Sequence, residues 1–229
     1  MPIHLAPQSR REFLATIGIA AFACARSGSG AEGAVDEDVV YLLNDTHIGE
    51  KHPTNSPVPA HLRQAVSEVL ERAQPPSAVL INGDLALKDG QPGDYRHLAT
   101  LLKPLWDAGV NLHLTLGNHD HRGVFYDVLK EQRPRTRPGE SRHLAIVETR
   151  HANFYLLDSL QETMVTPGTL GAEQRGWLAK ALDLRSDKAA IIVAHHNPRL
   201  GGDPLHFPGG LTDSAELWQL LAPRQQVKA

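Results

Sequence analysis

Four apolar segments of this chain end in polar, chemistry-bearing residues, and that pattern constrains the fold more than any other feature. The clearest is Leu114-Thr115-Leu116-Gly117-Asn118-His119-Asp120. A glycine lets the backbone turn sharply at a strand end, so an amide, an imidazole and a carboxylate are delivered in a row. The segment 39–44 runs into Asp45-Thr46-His47, the segment 78–82 into Gly83-Asp84, and the segment 189–194 into His195-His196. Ligands of α/β proteins bind beyond the carboxyl ends of the strands. Four strand ends of this kind predict one site.

The stretches between these segments predict helices. Leu62, Val66, Val69, Leu70 and Ala73 recur at helical spacing over 60–74, ahead of Pro75-Pro76. A second helix is expected over 93–108, with Pro92 near its start and Pro104 inside it. A strand over 111–116 follows. Strand, helix, strand, helix, strand implies right-handed crossovers and a mainly parallel core. The unbroken apolar run 78–82 suits a strand buried on both faces. Further on come a short helix over 124–131, an Arg/Pro-rich loop over 133–142, and an antiparallel hairpin of strands 143–148 and 153–158. Helices over 172–184 and 213–221 complete the pattern.

The chain has 229 residues, 41% of them apolar, enough for one domain with a sizeable core. A formal charge of −3 implies no nucleic-acid or acidic-membrane partner. The single cysteine, Cys24, excludes an intrachain disulfide and a cysteine-rich zinc site. No apolar run approaches the roughly 20 residues of a membrane span. Residues 1–34 read as a leader and linker. Ser9-Arg10-Arg11-Glu12-Phe13-Leu14, followed by an apolar stretch to Cys24, resembles a twin-arginine export signal. That implies a periplasmic or extracellular location and leaves 35–229 as the domain.

The strand-end residues are Asp45, His47, Asp84, Asn118, His119, Asp120, His195 and His196. Oxygen and imidazole donors without a thiolate suit Zn, Mn or Fe better than a soft metal. Asp-x-His puts two donors on one side of an extended segment. A carboxylate such as Asp84 can bridge two cations. Two cations about 3.5–4 Å apart can clamp a phosphate and turn water into a nucleophile at neutral pH. Each residue taken singly has a plainer reading. Asp45 and Asp84 could cap helices, Asn118 could serve a turn, and a strand-end histidine often only bonds backbone.

In order, Asp45-Thr46-His47, Gly83-Asp84, Gly117-Asn118-His119-Asp120 and His195 resemble the calcineurin-like metallophosphoesterase family. Its pattern is Asp-x-His, Gly-Asp, Gly-Asn-His-Asp/Glu, a strand-end His, and Gly-His-x-His. The resemblance implies a layered αββα sandwich of mixed sheets with flanking helices. It implies two divalent or mixed-valence metal ions (Mn, Zn or Fe), with Asp45 and His47 on one, Asp84 bridging, and Asn118 and His195 on the other. His119 would contact substrate and protonate the leaving oxygen. Asp120 would orient His119 by accepting its other N–H. Within the histidine pair the choice of ligand is open. His195, nearer the strand, is preferred, with His196 on the substrate side. The implied activity is hydrolysis of a small phosphate mono- or diester. No Gly-His-x-His block precedes Ala229, so the domain is expected to be incomplete at its C-terminus. The alternative is a non-catalytic or weakly metal-binding relic of the same fold.

Overall fold

The computed structural model describes residues 34–53, 55–133, 142–199 and 208–229, all within the unit Gly33–Ala229. The expected leader, apart from Ala34, and most of the Arg/Pro-rich loop lie outside the described residues. So does the greater part of 201–210.

The first half follows the predicted alternation: β1 (Asp36–Asn44), α1 (Val58–Leu70), β2 (Pro76–Asn82), α2 (Pro92–Asp107) and β3 (Leu112–Leu114). These strands make a parallel sheet in the order β1-β2-β3. The second half contains α3 (Arg122–Val128), β4 (Ala145–Glu148), β5 (Ala152–Leu156), α4 (Gly171–Asp183), β6 (Ala189–Val193) and α5 (Ser214–Leu221). Its sheet runs β4-β5-β6, with β4–β5 antiparallel, as the hairpin predicted, and β5–β6 parallel. The last residues run beside β6: Ala190 N–H donates to Gln226 O at 2.8 Å, and Ile192 N–H to Ala229 O at 2.7 Å.

Side chains alternate across a strand, and here the alternation fixes four layers. Val79 and Ile81 of β2 pack with Leu62 and Val66 of α1 and Leu98 and Leu102 of α2. Their neighbours Ala78 and Leu80 face the other way, onto Val147, Leu156 and Val193 of the second sheet. Tyr155 and Ala190 turn outward again, onto Leu178 and Leu182 of α4 and Leu217 of α5. The order is helices, sheet, sheet, helices, and β2 is buried on both faces as its composition requires. Among the described residues no helix is long and apolar enough to cross a membrane.

Two boundaries differ from expectation for identifiable reasons. α1 stops at Leu70, short of residue 74, with Glu71 as its C-terminal cap. Arg72 has left the helix and pairs with Asp36 at 2.7 Å, at the start of β1. β5 ends at Leu156, short of residue 158. Asp158 is drawn off the sheet by Arg122, whose Nε donates to it at 2.7 Å, and by Gln174, which accepts the Asp158 N–H at 2.8 Å.

Candidate metal centre

The carboxyl ends of β1, β2 and β3 meet that of β6 at one edge of the sandwich. The turns there are unusual. Asp45 and His47 have φ of 54° and 44°, and Gly83 and Asp84 have 70° and 47°. For a residue other than glycine the left-handed region costs on the order of 1–2 kcal/mol, and such strain gathers at functional sites. The two turns are zipped together: Asp45 N–H donates to Gly83 O at 3.2 Å, His47 N–H to Asp84 O at 2.9 Å, and Ile48 N–H to Leu85 O at 2.9 Å. This corrects the expectation of an extended Asp-x-His. The two side chains converge because their turn is templated on the next one, not because alternate residues share a face.

Asp84 lies at the centre and is 5% exposed. Its two oxygens face different imidazoles. Oδ2 is 3.7 Å from His47 Nε2 and 4.0 Å from His119 Nε2. Oδ1 is 3.4 Å from His195 Nε2 and accepts the His119 N–H at 2.9 Å. Asp45 Oδ1 lies 3.8 Å from His47 Nε2, and Asp45, His47 and Asp84 each offer a ligand atom within 4.8 Å of the others. His195 Nδ1 sits 3.2 Å from the Asn82 carbonyl. Donation there would make Nε2, 3.4 Å from Asp84 Oδ1, the nitrogen offered to a cation in place of its proton. Asn118 joins Asp45, His195 and His196 in lining an open cleft of about 460 Å³, a size suited to a small molecule.

Two bare positions make this approach possible. A Cβ on Gly117 would lie 2.2 Å from Asp84 Oδ1, and one on Gly83 would lie 2.4 Å from His195 Nδ1. Electrostatics follow from the crowding. Burial alone would raise the Asp84 pKa, but the bond from His195 and the His119 N–H more than offset it, and the net shift is downward. Burial would lower His195, and the Asp84 carboxylate reverses that, so its pKa rises. Carboxylate, amide and imidazole donors packed this closely fit hard or borderline cations such as Mn, Fe or Zn.

One expected role needs correction. Asp120 does not orient His119. His119 Nδ1 is 2.6 Å from the Lys88 carbonyl instead, which fixes the ring and leaves Nε2 on the Asp84 side. The Asp120 carboxylate is turned inward and accepts N–H bonds from Leu85, Ala86 and Gly117 at 3.1, 3.0 and 2.9 Å. Complete burial pushes its pKa up to about 6 against the pull of those bonds. His196, expected to reach toward substrate, is 4% exposed and forms part of the cleft floor. Its Nδ1 is 2.8 Å from Ser159 Oγ. Burial and then the adjoining His195 lower its pKa to about 4, so the ring is neutral. Sequence reasoning missed the parts played by Lys88, Ser159 and Tyr95. Only Tyr95 carried a signal, since a core tyrosine in place of phenylalanine points to a buried partner for its hydroxyl.

The model of the calcineurin-like phosphoesterase family matches residues 39–225. The chain belongs to this family. A 3',5'-cyclic adenosine monophosphate phosphodiesterase of Pseudomonas aeruginosa is 31% identical over 170 residues, 74% of this chain and 58% of the relative. A cAMP/cGMP dual specificity phosphodiesterase of Mycobacterium tuberculosis is 28% identical over 179 residues, 73% of this chain and 52% of the relative. The chain thus spans about half the length of the curated relatives it matches. A purple acid phosphatase from yellow lupin seeds shares the fold at 18% identity, with a TM-score of 0.51 over 79% of this chain and 35% of that one. The family is one of phosphate-ester hydrolases, and the αββα layering is the family's fold.

Proposed function

We propose that this domain is a metal-dependent phosphodiesterase whose two cations share the Asp84 carboxylate, and whose substrate is a small monoanionic diester of the 3',5'-cyclic nucleotide type. One observation carries the reading: the two oxygens of buried Asp84 address separate imidazoles, His47 and His119 on one side and His195 on the other. Asp45 and His47 would hold one cation, Asn118 and His195 the other. Cations held there would polarise the phosphoryl oxygens as Lewis acids and acidify a water.

The chain's own residues do the rest. Lys88 O fixes His119 through Nδ1, so a protonated His119 would present its Nε2–H to the leaving oxygen. His196, held by Ser159, closes the floor with a neutral ring. Asn44, Asn82, Asn197 and Thr166 line the cleft with neutral hydrogen-bonding groups. Among the described lining residues there is no lysine or arginine. A diester brings one negative charge and needs less balancing than a monoester dianion. The names of the relatives support the same substrate class.

The test is hydrolysis of cAMP, cGMP, an aryl phosphodiester and an aryl monoester by the purified chain with Mn or Zn, alongside metal analysis. The expected result is about two ions per chain and a preference for diesters that Asp84→Ala abolishes. Equal activity in wild type and Asp84→Ala refutes the reading, and a chain that takes up no metal is the relic. Residues 1–34 remain part of the proposal as an export leader. A cytoplasmic protein with an uncleaved N-terminus in cell fractions would refute that part.

A further inference from the structure

Asp120 is freed from the role expected of it, yet it is heavily bonded and close to the centre. It is 0% exposed. Beyond the three backbone N–H bonds it accepts the Tyr95 hydroxyl on Oδ1 at 3.1 Å. The donors come from two different turns. Leu85 and Ala86 directly follow Asp84, and Gly117 directly precedes Asn118 and His119. One buried side chain therefore ties the two turns together.

Tyr95 sets the direction of that tie. It is fully buried on α2, and its oxygen accepts the His121 N–H at 2.8 Å. With a donor entering the oxygen, its own proton is left for Asp120. The ring packs against Phe125 with centroids 5.6 Å apart, a contact that a phenylalanine would make equally well. The hydroxyl is what a phenylalanine would lack, and it spans Asp120 and His121.

We infer that Tyr95 is a positioning residue: through Asp120 it clamps the turn bearing Asp84 to the turn bearing Asn118 and His119, and so sets the spacing of the candidate metal ligands. This rests on the proposed assignment of Asp84 and Asn118 as ligands. Removing a group that orients ligands typically weakens metal binding about 10–100-fold.

The test compares Tyr95→Phe with Tyr155→Phe in the full chain. Tyr155 is also fully buried, and its hydroxyl reaches Ala181 O at 3.4 Å in the core of the other sheet. Two quantities are read: amide exchange at Leu85, Ala86 and Gly117 in the metal-free chain by NMR, and Mn(II) affinity by calorimetry. Tyr95→Phe is expected to speed exchange at all three amides together and to weaken Mn binding at least about tenfold. Tyr155→Phe should lower the melting temperature and change neither readout. Wild-type exchange in Tyr95→Phe overturns the inference, and so does lost protection with unchanged Mn affinity, the mark of a merely structural hydroxyl. A wild-type chain that takes up no Mn overturns this inference and the proposed function together. One that binds Mn but hydrolyses no phosphodiester refutes the proposed function, while these two readouts still decide the role of Tyr95.

Discussion

Gly117→Ala is the sharpest test of how the centre is packed. The added methyl would sit 2.2 Å from Asp84 Oδ1, 2.5 Å from the Asp84 backbone nitrogen and 2.8 Å from His195 Cδ2. The carboxylate oxygen could swing away, but the backbone nitrogen cannot move without dragging the end of β2. Gly117 is not in the left-handed region, so the cost is steric and not conformational. Overpacking of this kind costs about 1–3 kcal/mol, or roughly 2–12 °C in melting temperature for a domain of this size. Gly176→Ala is the matched control. That glycine lies inside α4 with nothing within 4 Å of its missing Cβ, and alanine there should stabilise by about 0.5–1 kcal/mol. The assay is thermal unfolding of the metal-free chain, followed by Mn(II) titration. Gly117→Ala should lose stability and bind Mn at least about tenfold more weakly, while Gly176→Ala gains stability at unchanged affinity. A Gly117→Ala chain that melts and binds as wild type does would refute the claim that this turn is seated against the Asp84 carboxylate.

His119→Ala should lower kcat by about 10²–10⁴ while leaving metal content intact, checked by steady-state rates and elemental analysis. Chelation should abolish activity and lower the melting temperature. Refilling to 100 times the dissociation constant should restore about 2.7 kcal/mol, read by calorimetry. Acid should destabilise the metal-free fold through its neutral imidazoles. The pKa of His196 falls from 6.5 to about 4 on folding, and burial also lowers that of His143. A depressed histidine contributes stability above its unfolded pKa and loses it as pH falls toward the folded value. His196 alone should therefore account for about 2 kcal/mol lost between pH 7 and pH 5, and His196→Gln should flatten that slope in urea titrations.

The strand ends were legible because each combines two local signals, a buried apolar run and a polar stop, and neither depends on the rest of the chain. The layering was expected only from the family resemblance, and it is realised here with Val79 and Ile81 facing helices while Ala78 and Leu80 face the other sheet. The conformation of the Asp45–His47 turn was not legible, because it is imposed by Gly83, Asp84 and Leu85, far along the chain. The role of Asp120 was not legible either. Adjacency to His119 suggested a pair, whereas three backbone N–H groups from two turns compete for the same carboxylate and win. The floor position of His196 depends on Gly168, where a Cβ would come 2.4 Å from its Nδ1, and on Ser159. Both lie outside any segment the motif covers.

Asn82 shows how the centre and the sandwich depend on one another. Its Nδ2 donates to Ala194 O at 3.3 Å, its Oδ1 accepts from Thr115 Oγ1 at 2.9 Å, and its carbonyl faces His195 Nδ1 at 3.2 Å. The residue ends β2 in the first sheet, while Ala194 and His195 follow β6 in the second. The same contacts that orient the His195 ring therefore also hold the two sheets in register at the site. A ligand set drawn from both sheets cannot be positioned more accurately than the sheets themselves. The apolar layer of Leu80, Leu156 and Val193 sets their spacing without direction, and the polar contacts of Asn82 supply the direction. Accurate placement of His195 against Asp84 is for that reason a property of the whole sandwich, read out at one strand end.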